Sequence, residues 1–226
     1  MDKIYVALDS DIVRHLTAIE PYVKCKDIPL TSEASRNRAI SKYGTALCKL
    51  FNKAQADDLR LLVTQTVYHE TKHIPQVKNF IETYCYFPSS ENLEDENYIN
   101  NIRTLAYSYC GFGTNPQEKR KYPFNARYVA EFNRYCPCND SYVMAEATIE
   151  GAILLTANEN DFIYIASPDK KNRRIANEII YINRQLGYND ENGFTPYPIG
   201  ISELDYFLST RIKKLENNLK TGVSKE

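Results

Sequence analysis

Apolar residues along this chain occur in two patterns, as short continuous runs and as longer stretches at helical spacing. Three runs have the length and composition of buried strands: Lys3–Leu8, Leu59–Val63 and Ala152–Thr156. Helical spacing is clearest from Ser32 to Ala54, which predicts a long amphipathic helix. Because strands and helices alternate, we expect an α/β fold whose mostly parallel sheet is flanked by helices on both faces.

Boundary signals place further helices beside these strands. Thr64–Thr66 supplies candidate N-caps, and one helix is predicted from there through Phe80. A helix over Ser141–Glu150, with Gly151 as its C-cap, leads into the third strand. The remaining predicted elements are a helix that begins at Ile12 after the first strand, a helix over Arg173–Gln185, a strand over Pro196–Ile201 and a helix over Ser202–Leu219.

The hydrophobic pattern weakens between residues 82 and 137. Pro88–Ser90, the acidic stretch Glu91–Glu96 and Gly111–Gly113 interrupt short helical stretches there. The whole chain, at 226 residues, has the size of one ordinary domain. We therefore predict a single domain over residues 1–226, with 82–137 as an insertion or helical cap within it.

Composition limits the partners and the location. The 28 Lys and Arg residues nearly balance the 29 Asp and Glu residues, so no global field draws the chain to nucleic acid or to an anionic membrane. No segment approaches the ~20 apolar residues of a membrane span, and the acidic N-terminus does not fit a signal peptide. We expect a cytoplasmic protein with no membrane partner and with reduced cysteines. Cys136 and Cys138 lack the second pair that would complete a zinc site, which disfavours zinc there.

Four acidic residues stand next to the predicted strand-to-helix junctions. Asp9 follows the first strand, and Glu70 is predicted to open the helix after the second. Asp140 opens the helix before the third strand, and Asp161 follows that strand. Such junctions converge in one crevice of a parallel sheet, and carboxylates gathered there suit Mg²⁺ or Mn²⁺. Two such ions can clamp a phosphodiester for hydrolysis, whereas the ordinary alternative is that these acids only cap helices.

Two stretches of the chain resemble the motifs of PIN-domain nucleases. Ala7–Val13 resembles their opening motif, an aliphatic strand that ends in Asp followed by Ser or Thr. Asn139–Ala147 and Gly151–Phe162 resemble their C-terminal signature, an Asp that opens a helix and a Thr-x-Asn-x-x-Asp-Phe-like turn after the next strand. The resemblance implies a PIN-like fold in which an acidic quartet binds Mg²⁺ or Mn²⁺. The implied catalytic and metal-binding residues are Asp9, Glu70, Asp140 and Asp161.

The same resemblance implies supporting roles for residues near the quartet. The Ser10 hydroxyl would help to hold Asp9 or a water on the metal, and Thr156 belongs to the same C-terminal motif. Asn158 would support the last turn or contact a ligand. Asp11 stands where the family often has Asn, so it either adds a fifth carboxylate or caps the first helix, and the cap is favoured.

The PIN family includes VapC-like toxin ribonucleases and RNA-processing nucleases, so the resemblance implies an RNA substrate. It also suggests an antitoxin partner and a homodimer. A PIN-like module that binds RNA or protein without cleaving it remains the alternative. Nucleic-acid contact is predicted from three basic groups, with a solvated surface, the commoner fate of Lys and Arg, as the alternative for each. These groups are Arg36, Arg38 and Lys42; Lys119, Arg120 and Lys121; and Lys170, Lys171, Arg173 and Arg174.

A competing motif occurs at His69–His73, which fits His-Glu-x-x-His. On one helix this spacing places two imidazoles around zinc and makes Glu70 a general base, as in metalloproteases. The third ligand would have to be a downstream carboxylate such as Glu91, Glu94 or Glu96. Pro75 disfavours a helix at the preceding residue, and the motif leaves the other three acids unexplained, so the zinc protease is the weaker hypothesis.

Overall fold

Four parallel strands form the main sheet of the molecule. The computed structural model describes residues 4–23, 36–88, 95–110, 127–129, 134–136, 139–158, 180–189 and 195–212. The strands in chain order are β1 (Ile4–Leu8), β2 (Leu59–Leu62), β3 (Arg127–Val129), β4 (Arg134–Cys136), β5 (Ile153–Thr156) and β6 (Pro198–Gly200). The sheet has the order β2–β1–β5–β6, and β3 pairs with β4 in a separate antiparallel ribbon.

Helices precede or follow each strand of the sheet. In chain order they are α1 (Ser10–Ile19), α2 (Arg38–Gln55), α3 (Gln65–Thr71), α4 (Pro75–Tyr84), α5 (Glu96–Cys110), α6 (Asn139–Ile149), α7 (180–185) and α8 (Leu204–Tyr206). Side-chain caps fix where several of them begin. The carboxamide of Asn37 accepts from the amides of Ala39 and Ile40, which starts the predicted amphipathic helix α2.

The strand order places β1 and β5 side by side at the centre of the sheet. Val6 lies opposite Ile153, and β2 and β6 extend the sheet on either side. Tyr86 makes a further parallel bridge to Leu62 at the outer edge of β2. The chain leaves β1 toward one side and returns through β5 on the other, so a topological switch point lies between these strands. Parallel sheets bind ligands at that point, beyond the carboxyl ends of the strands.

Burial of the central strands shows that both faces of the sheet are covered. Every residue of β5 is buried, although successive side chains point to opposite faces. Helix α1 packs against α2 and α4, while α6 packs against α3 and α5. The predicted α/β class with a parallel sheet is therefore confirmed.

The single helix predicted from Thr64 through Phe80 is wrong, because two helices occupy this region. Thr64 accepts from the amide of Val67 and starts α3 as predicted, but the helix ends at Thr71. Ile74 has an extended backbone, with φ −99° and ψ 107°, and Pro75 begins α4. The proline forces its predecessor out of the helical region and then serves as the first residue of the next helix.

The described part of residues 82–137 contains α5 and the ribbon of β3 and β4. Helix α5 packs on α6 and contributes Leu105, Ala106 and Tyr109 to the buried core. The beginning of the segment belongs to α4, and Tyr86 pairs with β2. Whether the rest is an insertion in a smaller fold stays a prediction.

The C-terminal region agrees with the predicted elements in part. Residues 180–185 are helical within the predicted 173–185, and β6 lies within the predicted strand. The single helix predicted from Ser202 is wrong up to residue 212, since a 3₁₀ turn, the three-residue α8 and a π-helical stretch, Phe207–Ile212, follow one another. Among the described residues, no helix has both the length and the apolar character to span a bilayer.

Candidate functional site

Asp9 is buried at the switch point, where β1 ends and α1 begins. Only 7 % of the residue is exposed. Its Oδ1 accepts from the backbone amide of Ser10 at 2.6 Å, and its Oδ2 accepts from the Thr156 hydroxyl at 2.7 Å. Because both carboxylate oxygens are held, the side chain has one defined position.

Thr156 connects the ends of the two central strands. Its hydroxyl oxygen donates to Asp9 and accepts from the backbone amide of Asn158 at 2.9 Å. The backbone amide of Asp9 in turn donates to the carbonyl of Leu155 at 3.0 Å. The loops after β1 and β5 are therefore joined by hydrogen bonds, and the predicted supporting positions of Thr156 and Asn158 adjoin Asp9.

The electrostatics of Asp9 oppose its ionised form. Burial raises the pKa of the Asp9 carboxyl above its ordinary value, and the hydrogen bonds from Thr156 and Ser10 offset this only in part. The negative charges of Asp11 and Glu70 raise the pKa further. The predicted acids Asp9 and Glu70 are thus close enough to repel each other, and a bound cation would relieve that repulsion.

Helix α6 begins beside Glu70. The side-chain amide of Asn139 donates to Glu70 Oε1 at 2.6 Å, and Asn139 is the first residue of α6. Asp140 is the next residue and is half-buried. Three of the four predicted acids therefore lie around one end of the sheet. Asp161 lies outside the described residues.

The donor set fits a hard divalent cation better than zinc. Carboxylate oxygens prefer Mg²⁺ or Mn²⁺, and Mg²⁺ commonly binds through one or two carboxylates while it keeps several waters. Within the described ranges, no three His, Cys, Asp or Glu side chains are grouped closely enough to hold an ion directly.

The role predicted for Asp11 needs correction. The cap of α1 is Asp9, and Asp11 lies in the first turn, where it forms an exposed ion pair with Arg14 at 3.0 Å. The predicted cap was therefore assigned two residues too late. The backbone amide of Ser10 contacts Asp9, and the role of the Ser10 hydroxyl stays a prediction.

The predicted position of Glu70 within its helix was also wrong. Glu70 lies in the last turn of α3, near the start of α6, and does not open the helix. His73 lies beyond the end of α3, and both His69 and His73 are exposed. The His-Glu-x-x-His residues therefore do not lie on one continuous helix, as a zinc protease site requires.

Glu146, an acid that the sequence did not single out, is only 7 % exposed within α6. Its Oε1 accepts from the Thr66 hydroxyl at 2.7 Å, and its Oε2 accepts from the Thr66 amide at 3.1 Å. Burial raises the pKa of the Glu146 carboxyl, and the hydrogen bonds from α3 counteract this only in part. The available signal was a lone acid inside the apolar run Val143–Ala147.

The basic residues predicted to contact nucleic acid are described only in part. Arg36, Arg38 and Lys42 are exposed at the beginning of α2, and Lys42 lies 4.8 Å from the ring centre of Tyr43. The other predicted basic residues lie outside the described residues, as does Cys138. They are Lys119, Arg120, Lys121, Lys170, Lys171, Arg173 and Arg174.

A small pocket lies at the opposite end of β5. Thr148, Gly151, Tyr188 and Pro196 are among its lining residues. Gly151 has φ +64° and ends α6 as predicted, since a residue with a side chain would be strained in that conformation. The pocket is thus separated from Asp9 by the length of the strand.

Comparison of the chain with protein-family models, with curated proteins and with solved structures found no significant match. The candidate site therefore has to be interpreted from its own residues.

Proposed function

We propose that this chain is a PIN-like nuclease that uses Mg²⁺ or Mn²⁺ to hydrolyse RNA phosphodiesters. The observation that supports this most directly is the position of Asp9, buried at the switch point with both oxygens held and with Glu70 close enough to repel it. Burial of the Asp9 carboxylate costs stability because it disfavours the charged form, and capping a helix does not require such burial. A cation bound at the site would offset that cost.

The strand order supports the same proposal. A sheet in which β1 lies between β2 and β5 opens its crevice where Asp9 and Thr156 lie. Acids from the end of β1, from α3 and from the start of α6 adjoin that crevice, as the resemblance to PIN nucleases implies. RNA as the substrate, an antitoxin partner and a homodimer rest on that resemblance alone.

Each acid would have a separate task in this site. Asp9 supplies a fixed anionic position, because Ser10 and Thr156 hold its two oxygens. Glu70 and Asp140 supply further carboxylates on the other side, and Asn139 keeps Glu70 next to the beginning of α6. A divalent ion bound there would neutralise charge on the phosphate and lower the pKa of a coordinated water.

A cleavage assay with matched variants tests the proposal. Purified protein is incubated with single-stranded and structured RNA in Mn²⁺, in Mg²⁺ and in EDTA. We expect cleavage that needs the metal and that falls about a hundredfold or more in Asp9→Asn and Asp140→Asn, since loss of groups that merely support a metal ligand already costs about 10- to 100-fold.

Asp95→Asn is the control, because it makes the same chemical change at an exposed residue. Asp95 accepts from the Asn97 amide at the start of α5, where Asn caps equally well. Equal cleavage by the wild type and by the Asp9 and Asp140 variants would overturn the proposal. RNA binding without cleavage under every divalent ion would favour the non-cleaving module instead.

A further inference from the structure

Glu146 joins two helices that carry candidate site residues. It lies in the middle of α6, and its carboxylate binds both the amide and the hydroxyl of Thr66 in the first turn of α3. The amides in the first turn of a helix have no partner within the helix, so another group must satisfy them. Here that group comes from a different helix.

The contacts between α3 and α6 occur at two separate points. Glu146 holds Thr66 near the beginning of α3, and Asn139 donates to Glu70 near its end. The residue later in α6 contacts the residue earlier in α3, so the two helices run antiparallel. The two contacts together fix the direction of α3 relative to α6, and hence the position of Glu70 relative to Asp140.

Glu146 caps α3 from a different helix, so its contact also fixes where α3 lies. Thr64 accepts from the amide of Val67, whereas the amide of Thr66 is satisfied by the carboxylate from α6. Helix α3 has only seven residues, and a helix of that length depends on tertiary contacts for its place in the fold. The contact from Glu146 therefore orients α3.

We propose that Glu146 is a positioning residue, which holds α3 against α6 so that Glu70 stays beside Asp140 at the cation site. The part of this inference that concerns the cation rests on the proposed function. The part that concerns the orientation of α3 does not, and the two parts are measured separately.

Three variants test the inference. Glu146→Ala removes both hydrogen bonds to Thr66. Glu146→Gln keeps an acceptor for the Thr66 amide and offers its own amide to the Thr66 hydroxyl. Tyr109→Phe is the control for a general loss of stability, because it removes buried hydrogen bonds to Thr148, also on α6, and to Asn183. Each full-length variant is measured for Mn²⁺ affinity by electron paramagnetic resonance and for amide hydrogen exchange over residues 66–71.

We expect the Mn²⁺ affinity of Glu146→Ala to be lower by about tenfold or more and its α3 amides to exchange faster. Glu146→Gln should restore both properties nearly to wild type, and Tyr109→Phe should leave both unchanged despite a lower melting temperature. Unchanged Mn²⁺ affinity and exchange in Glu146→Ala would overturn the inference, as would equal losses in Tyr109→Phe.

A wild-type protein that binds no Mn²⁺ would count against the nuclease proposal and against the cation part of this inference. Exchange over residues 66–71 would still decide the orienting role. Faster exchange in Glu146→Ala alone would support it, and unchanged exchange would remove it.

Discussion

The two ends of β5 each carry a buried network of hydrogen bonds, and the two networks differ in charge. At the carboxyl end, Thr156 donates to the carboxylate of Asp9. At the amino end, the Tyr109 hydroxyl lies 2.8 Å from the hydroxyl of Thr148 and donates to Asn183 at 2.7 Å. Asn183 also donates to the carbonyl of Pro196 at 2.9 Å.

The difference separates a stabilising network from a candidate binding site. The groups at the amino end are neutral and satisfy one another, so they add to stability at any ordinary pH. Burial and the nearby charges of Asp11 and Glu70 raise the pKa of Asp9, so its ionised form costs stability that a counter-charge would offset. Burial of polar groups alone therefore does not distinguish the two ends, whereas burial of an acid near other acids makes the carboxyl end the candidate site.

The largest expected effect on stability is at the amino end. Tyr109→Ala removes a nearly fully buried ring and its hydroxyl, and we expect a loss of about 3–5 kcal/mol in the free energy of unfolding. Urea unfolding with and without Mn²⁺ measures it. If this network is purely structural, the loss in the free energy of unfolding is the same with and without Mn²⁺. A loss that differs between the two conditions would contradict the distinction between the two ends of β5.

An intermediate effect is expected at the carboxyl end. Thr156→Val removes the donor to Asp9 Oδ2 and the acceptor of the Asn158 amide while it keeps the shape of the side chain. We expect a loss of about 1.5–3 kcal/mol in the free energy of unfolding near pH 8, because a buried carboxylate loses a charge-assisted hydrogen bond. Thr156→Ser keeps the hydroxyl and should lie close to wild type.

The effect of Thr156→Val should depend on pH in a defined direction. The pKa of Asp9 in the folded protein is already raised, so its contribution to stability is present below about pH 3.8, the ordinary value, and is lost as the pH rises. Loss of the Thr156 donor raises that pKa further, so the destabilisation should be smaller near pH 4, where only the loss of the Asn158 contact remains, and should grow toward pH 8. Urea unfolding across this range measures it, and a loss independent of pH would show that Asp9 does not titrate as described.

The elements that could be predicted from the sequence depend on neighbouring residues. The strands at β1 and β5 follow from continuous apolar runs, and the end of α6 follows from a glycine at positive φ. The position of Asp9 at a strand end followed in the same way. That Asp9 and Glu70 lie near each other could be anticipated from the general property of parallel sheets and from the resemblance to PIN nucleases.

The features that could not be predicted depend on contacts across the fold. Nothing near Glu146 in sequence indicates that Thr66, eighty residues earlier, would receive its carboxylate. Pro75 indicates the break between α3 and α4, but apolar residues recur at helical spacing on both sides of it, which favours a single helix. Choosing Asp9 over Asp11 as the cap required the start of α1 to within one or two residues, which periodicity does not provide: the helix was predicted from Ile12 and begins at Ser10.

The smallest expected effect is at Asp11, and it defines where the charged network ends. Asp11 is 51 % exposed and pairs with Arg14, and an exposed pair of this kind contributes at most about 0.5–1 kcal/mol. Asp11→Asn loses that pair but also removes one of the charges that raise the pKa of Asp9, so the two effects oppose each other. We expect thermal stability close to wild type and RNA cleavage reduced less than tenfold. A loss of cleavage as large as in Asp9→Asn would instead make Asp11 a fifth carboxylate of the site.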